Sequence, residues 1–276
     1  MRIANRLTRA RIVATLPCMT ISSTVLILTL AALSLVSATS AHSFAQDDKT
    51  AASIAPPSSL VPAARTDEGS IARETELIRR ARESAPVNVI FVGDSITQAW
   101  EGPGSDAWNK YLAPLNALNL GNSGDRTENV LYRLTQAPLT RLQAKHVVLL
   151  IGTNNLGHGT SNASETLAGI TAITQLLAAQ CPDAKIHILE VFPRGTQMNP
   201  MRGELCQINQ ALRAFVRDSK ASATAAKASP YAIHATGDAF LNADGSISTE
   251  IMPDALHLTP KGYEMWAQAM SRVLAQ

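Results

Sequence analysis

Beyond about residue 68 the apolar positions follow two alternating rhythms. Compact runs at 87–92, 117–120, 146–151, 186–191 and 231–235 are dominated by apolar residues and break off at Gly, Pro or Thr signals. Short runs of this kind predict strands covered on both faces. Between them, apolar residues recur at helical spacing over 71–84, 127–136, 163–180, 202–220 and 260–274, with a short helix-like segment at 97–100. The alternation predicts an α/β domain over 69–276, built as a five-stranded parallel sheet with helices on both faces. In such sheets loops and helix starts converge beyond the carboxyl ends of the strands, so chemistry is to be sought there.

The first 45 residues have a different pattern. Arg2, Arg6, Arg9 and Arg11 precede an almost wholly apolar run at 20–36, and small residues follow. This is the pattern of a secretory leader over 1–45, cut after Ala41 or, by preference, after Ala45. It predicts an exported protein, periplasmic or secreted, with no stable membrane insertion once the leader is gone. The apolar stretch from Ile12 also approaches the length of a bilayer span, which leaves an uncleaved N-terminal anchor as the alternative. Residues 46–68 are mainly Ala, Ser, Pro and Asp and are expected to be a disordered linker.

Composition changes this picture little. Apolar residues make up 46% of the chain and charged ones 17%, an ordinary balance for a globular domain, and the formal charge of +2 argues against a nucleic-acid partner. Past the leader two cysteines remain, Cys181 at a helix end and Cys206 within the next helix. Two buried thiols are expected in preference to a bridge. Neither has a Cys or His at metal-ligand spacing, so no zinc site is predicted.

Four short motifs sit at the predicted strand ends. Gly93-Asp94-Ser95 follows the first strand. It can be a helix cap, or it can place Ser95 where its own N–H meets a developing oxyanion. Thr97 stands where an α/β-hydrolase elbow has its second Gly, so the motif is not of that type. Gly121-Asn122-Ser123-Gly124-Asp125 follows the second strand, either as a turn with Asp125 or Thr127 capping the next helix, or with the Gly124 N–H open to a reacting carbonyl. Gly152-Thr153-Asn154-Asn155 ends the most hydrophobic strand; paired Asn mark a turn, and the Asn154 amide would be a further donor. Asp254-Ala255-Leu256-His257 precedes the last helix and can set a carboxylate against an imidazole, as the base of a nucleophilic serine requires. Each motif alone has a structural explanation. Four in this order point to nucleophilic catalysis.

Together these blocks resemble those of the SGNH, or GDSL-type, hydrolases, and most of all the platelet-activating-factor acetylhydrolase catalytic subunits with their exported bacterial relatives. The likeness runs over 87–274 and includes 114–121, 129–134, 192–195 and 256–259. It implies a flavodoxin-like three-layer α/β/α fold and a carboxylic ester hydrolase. Ser95 would be the nucleophile, His257 the base and Asp254 its orienting partner, with Ser95, Gly124 and Asn154 as oxyanion donors. It implies no metal and no organic cofactor, and a homodimer is compatible with it. The family's acyl pocket maps onto Ile96, Thr153 and Leu256, whose bulk favours short acyl groups such as acetyl. Gly121-Asn122-Ser123-Gly124 is less glycine-rich than the mammalian form, and the leader places this chain outside the cytoplasm, so the substrate does not carry over.

The expected partner is a small-molecule or carbohydrate ester. A non-catalytic carbohydrate- or lipid-binding module on the same fold is the rival reading, and a phospholipid deacylase is the rival within the enzyme class. His158 could touch substrate through its closeness to Asn154, whereas His146, His187 and His234 are expected to be structural. Trp100 and Trp108 either wall the cleft or pack in the core. The loop signals over 194–202 predict a segment bordering the site.

Overall fold

The structure, a computed structural model, describes residues 55–224 and 228–275. The expected leader and the start of the expected linker lie outside them. Five parallel strands form one sheet in the order β2-β1-β3-β4-β5: β1 (Val89–Gly93), β2 (Ala117–Gly121), β3 (His146–Leu150), β4 (Lys185–Leu189) and β5 (Tyr231–His234). The helices are α1 (Glu68–Glu83), α2 (Ser95–Gln98), α3 (Ser105–Ala107), α4 (Thr127–Gln136), α5 (Thr153–Gly157), α6 (Ala163–Gln180), α7 (Pro200–Ala221) and α8 (Pro260–Leu274). Capping residues set several of the starts. The side chains of Asp67, Asn162, Asn199 and Thr259 accept from backbone N–H groups of the first turns of α1, α6, α7 and α8.

The handedness of strand crossovers explains the layers. A right-handed crossover puts its helix on opposite faces when the chain moves in opposite directions across a sheet. From β1 to β2 the chain moves one way, and this connection, with α8, covers the face bearing Val89, Phe91, Val148 and Leu150. From β2 onward it moves back, carrying α4, α6 and α7 to the face of Ile90, Val92, Val147 and Ile186, where α1 also packs. The direction reverses around β1, which opens a crevice beyond the carboxyl ends of β1, β2 and β3. This is the three-layer α/β/α fold the sequence predicts. No helix among the described residues is long and apolar enough to cross a membrane.

Two expectations need correction. Residues 55–67 are not a free linker. Ser59 is fully buried; its hydroxyl donates to the Glu165 carbonyl at 2.7 Å and its own carbonyl accepts from Thr127 Oγ1 at 3.0 Å. Ala63 N–H donates to the Glu128 carbonyl, and the Asn129 amide donates to the Ala63 carbonyl. Composition forecast disorder because the segment has little apolar area, but its backbone groups find partners on α4 and the Ser59 hydroxyl finds one on α6. Second, Cys206 is exposed, while Cys181 is buried and burial pushes its thiol up to about 11; neither is bridged. Of the two places open to Trp100, the structure selects the core. The indole packs with Tyr263, Trp266, Phe91 and the half-buried Trp108 beneath the turn that carries Ser95.

His146, His187 and His234 form a hydrogen-bonded file across β3, β4 and β5. His146 Nδ1 meets His187 Nε2, and His187 Nδ1 meets His234 Nε2, each at 3.0 Å. Each contact shares one proton, so the file suits neutral rings. Burial first, then the two neighbouring imidazoles, lower His187 to about 3, and burial lowers the outer pair as well. With the native pKa below the unfolded value, the unfolded chain takes up protons that the native fold refuses. The file's stabilisation is therefore complete above about pH 6.5 and drains as pH falls toward the native value. His187→Gln should lower the melting temperature by roughly 5 °C or more at pH 7.5, and by clearly less at pH 4.5. Equal differences at both pH values would contradict this account.

Candidate active site

The nucleophile motif leaves β1 directly. Gly93 closes the strand, and the Asp94 carboxylate accepts the N–H of Ile96 at 3.0 Å, which starts α2 with Ser95 as its first residue. Tyr263 of α8 donates its hydroxyl to the Ile96 carbonyl at 2.6 Å, tying the turn to the aromatic core. Asp94 is wholly buried. Burial pushes its carboxyl up to about 7, against the pull of the Ile96 N–H and with the help of the charge on Asp125.

Ser95 Oγ lies 3.0 Å from His257 Nε2, and His257 Nδ1 lies 2.6 Å from Asp254 Oδ2. The other Asp254 oxygen accepts the backbone N–H of His257 at 2.7 Å and of Leu256 at 3.1 Å. Burial favours the neutral acid, but the His257 ring and these two N–H groups outweigh it and hold Asp254 below the usual carboxylate range. Ala255 makes this tight turn by adopting φ 57°, a left-handed conformation unusual for alanine. Its carbonyl accepts from Gly195 N–H at 2.9 Å, so the 193–199 loop buttresses the turn, as its predicted place beside the site requires.

The loops after β2 and β3 close the other side. Asn122 N–H donates to the Gly93 carbonyl, and Ser123 N–H donates to Gln98 Oε1 at 2.7 Å, fastening the β2 loop to the nucleophile helix. Gly124 has φ 75° and Gly152 φ 122°, backbone conformations that favour glycine. Asn154 is buried and gives one amide hydrogen to the Asp125 carbonyl at 3.0 Å, which sets its side chain against the Gly124 loop. Asn155 has another job. Its Oδ1 accepts from Thr127 N–H, and its amide donates to Thr127 Oγ1 and Glu128, locking the start of α4.

A cleft of about 530 Å³ opens beside Ser95 and His257, lined also by Gln98, Ala99, Glu101, Gly102, Pro103, Ser123 and Leu258. Ile96, Thr153 and Leu256, expected to form the acyl pocket, do not line it. Ile96 is 1% exposed and Thr153 3%, with the Thr153 carbonyl covered by Arg194, while Leu256 is half-buried against the core. The side chain after the nucleophile turns inward because α2 packs its apolar face on the sheet. Glu101 on the cleft wall is gripped by Arg73 at 2.8 and 2.9 Å and by Arg80 at 2.6 Å. Burial opposes ionisation there, yet the two arginines hold Glu101 below its ordinary range. His158 is exposed; burial and the charges of Arg126, Arg194 and Arg65 lower it.

Gln98, Glu101 and Asp125 gained no site role from the sequence. Asp125, considered only as a cap, is a fully buried anion whose Oδ2 accepts from Arg133 at 3.0 and 2.7 Å. One signal was available: Arg133 lies three residues after Val130 and four after Asn129, on the buried face of α4.

The model of the GDSL-like lipase/acylhydrolase family matches residues 91–265. The human platelet-activating factor acetylhydrolase IB subunit alpha2 is 32% identical over 210 residues, 76% of this chain and 85% of that protein. The human alpha1 subunit is 36% identical over 187 residues, 67% of this chain and 74% of its own length. Among solved structures, a GDSL-like lipase from Bacteroides thetaiotaomicron superposes with a TM-score of 0.58 at 19% identity, covering 74% of this chain and 97% of that one. A carbohydrate esterase family 3 protein from Talaromyces cellulolyticus gives 0.50 at 19% identity, with coverages of 69% and 97%.

Proposed function

The chain belongs to the GDSL-like lipase/acylhydrolase family and is a carboxylic ester hydrolase, and on that premise we propose that it cleaves short-chain acyl esters, above all acetyl esters, through an acyl-enzyme on Ser95. The observation that carries the reading is the continuous relay from Ser95 Oγ through His257 to Asp254, at 3.0 and 2.6 Å. His257 Nε2 takes the hydroxyl proton as Oγ attacks the carbonyl, while Asp254 keeps the Nδ1 proton in place and stabilises the imidazolium. The N–H groups of Ser95 and Gly124 and the free amide hydrogen of Asn154 serve the oxyanion. His257 then protonates the departing alcohol, and water repeats the sequence on acyl-Ser95.

The packing supports a small acyl group. Ile96 and Thr153, which neighbour Ser95 and Asn154 in the chain, are closely packed and leave no open space of their own, and the open volume lies toward Gln98 and Pro103. That volume suits the alcohol portion, and its wall carries the Gln98 amide, the Ser123 hydroxyl and the Glu101 carboxylate, which favour a polar alcohol such as a carbohydrate. The acetylhydrolase relatives favour a second reading, deacylation of a short-chain phospholipid. The leader pattern at 1–45 supports action outside the cytoplasm.

Steady-state assays on p-nitrophenyl esters, acetylated sugars and short-chain phospholipids test both readings. The acetate ester should exceed the octanoate in kcat/KM by at least about tenfold, because a long chain would have to displace packed side chains. Acetylated sugar should outrun phospholipid. Preference for octanoate would overturn the short-acyl reading, and preference for phospholipid would select the second.

A further inference from the structure

We infer that Arg65, on the segment ahead of α1, is a positioning residue for the oxyanion loop, so that residues 58–67 belong to the catalytic apparatus. This rests on the esterase reading above. The Arg65 guanidinium spans the loop between β2 and α4. Nη1 donates to the Ser123 carbonyl at 2.7 Å and to Asp125 Oδ1 at 3.1 Å, and Nη2 donates to Asp67 at 2.8 Å. It also closes over Gly124, where an added Cβ would stand 3.0 Å from Nη2 and 3.1 Å from Nη1.

Arg133 grips the same carboxylate through its other oxygen, with Nε and Nη2 on Asp125 Oδ2 and Nη1 on the Leu120 carbonyl at 3.0 Å. One buried anion is thus held between two guanidiniums. Asp125 follows Gly124 directly, and its carbonyl receives the Asn154 amide. Fixing Asp125 therefore fixes two of the three proposed oxyanion donors. A glycine at φ 75° brings a permissive backbone to this point, and preorganised donors raise the rate only while they keep their direction. Arg133 restrains the loop through Asp125 and the end of β2. Arg65 holds Ser123 and covers Gly124.

The segment does not depend on Arg65 to stay docked. Ser59 and Ala63 hold it to α4 and α6 through four hydrogen bonds of their own. Removing the guanidinium should therefore release the loop without detaching the segment. Lysine can replace it only in part, since a single ammonium does not offer the same fixed fork to Ser123, Asp125 and Asp67.

The test compares the full chain with Arg65→Ala and Arg65→Lys, using p-nitrophenyl acetate and thermal melts. For Arg65→Ala, kcat should fall roughly 10- to 100-fold, less than for outright loss of a donor, with KM changed by no more than about threefold. Arg65→Lys should lie between that variant and wild type. Millimolar guanidinium chloride should restore part of kcat to Arg65→Ala and none to Asn154→Ala, a response that a purely structural role would not produce. An Arg65→Ala enzyme within about twofold of wild type in kcat, or one whose loss follows only the unfolded fraction and is not rescued, would overturn the inference alone. A wild-type chain inactive on every ester would overturn the esterase reading and this inference with it.

Discussion

Ser95→Ala and His257→Ala should each lower kcat on a short p-nitrophenyl ester by about four to six orders of magnitude while leaving the melting temperature nearly unchanged. Alanine at 95 removes the atom that attacks. Alanine at 257 leaves the hydroxyl present but without the base that makes it nucleophilic at neutral pH. The two losses should not add, because either one disables the same relay; the double variant should resemble the singles. Asp254→Asn should cost less. Its side chain is about half exposed, so water can partly replace the lost acceptor on Nδ1, although an amide no longer matches the imidazolium charge. Kinetics beside circular dichroism would decide the matter. A folded Ser95→Ala protein that retains most of its ester hydrolysis would remove Ser95 from the mechanism.

Asn154→Ala should lower kcat by roughly 10²–10³ with little change in KM, because the amide meets the oxyanion much more strongly than the ground-state carbonyl. One of its hydrogens is committed to the Asp125 carbonyl at 3.0 Å, which orients the other. The variant also loses a buried hydrogen bond, so a drop of a few degrees in melting temperature is expected, and turnover must be expressed per folded molecule. Asn155→Ala supplies the contrast. It breaks three bonds to the start of α4, so its melting temperature should fall further while turnover per folded molecule stays close to wild type. If Asn154→Ala behaved like Asn155→Ala, destabilised but fully active, the oxyanion role would be lost.

The adjacent asparagines show where local sequence stops being informative. As a pair they read only as a turn. Their separate tasks follow from what lies across the crevice, the Asp125 carbonyl for one and the first turn of α4 for the other, close to 30 residues away in the chain. The same holds for Arg65, whose composition-poor surroundings read as a linker because backbone hydrogen bonds to distant helices leave no trace in hydrophobic pattern. Ile96 illustrates a third case. Its position next to Ser95 suggested a pocket wall, but the direction of a side chain in the first turn of a helix is decided by the face that packs on the sheet.

What the sequence by itself determined was the α/β class, the five strands and main helices to within a few residues, and the strand-end motifs that carry the family resemblance. These are readable because periodicity, turn residues and caps act over a few positions, and because parallel strands must be buried on both faces. Only the tertiary structure decided which face each helix covers, where the cleft opens, and that the segment ahead of α1 lies docked over the Gly124 loop. Those features depend on contacts between residues tens to more than a hundred positions apart. Their energy comes from burial and hydrogen bonding that exist only once the sheet has assembled.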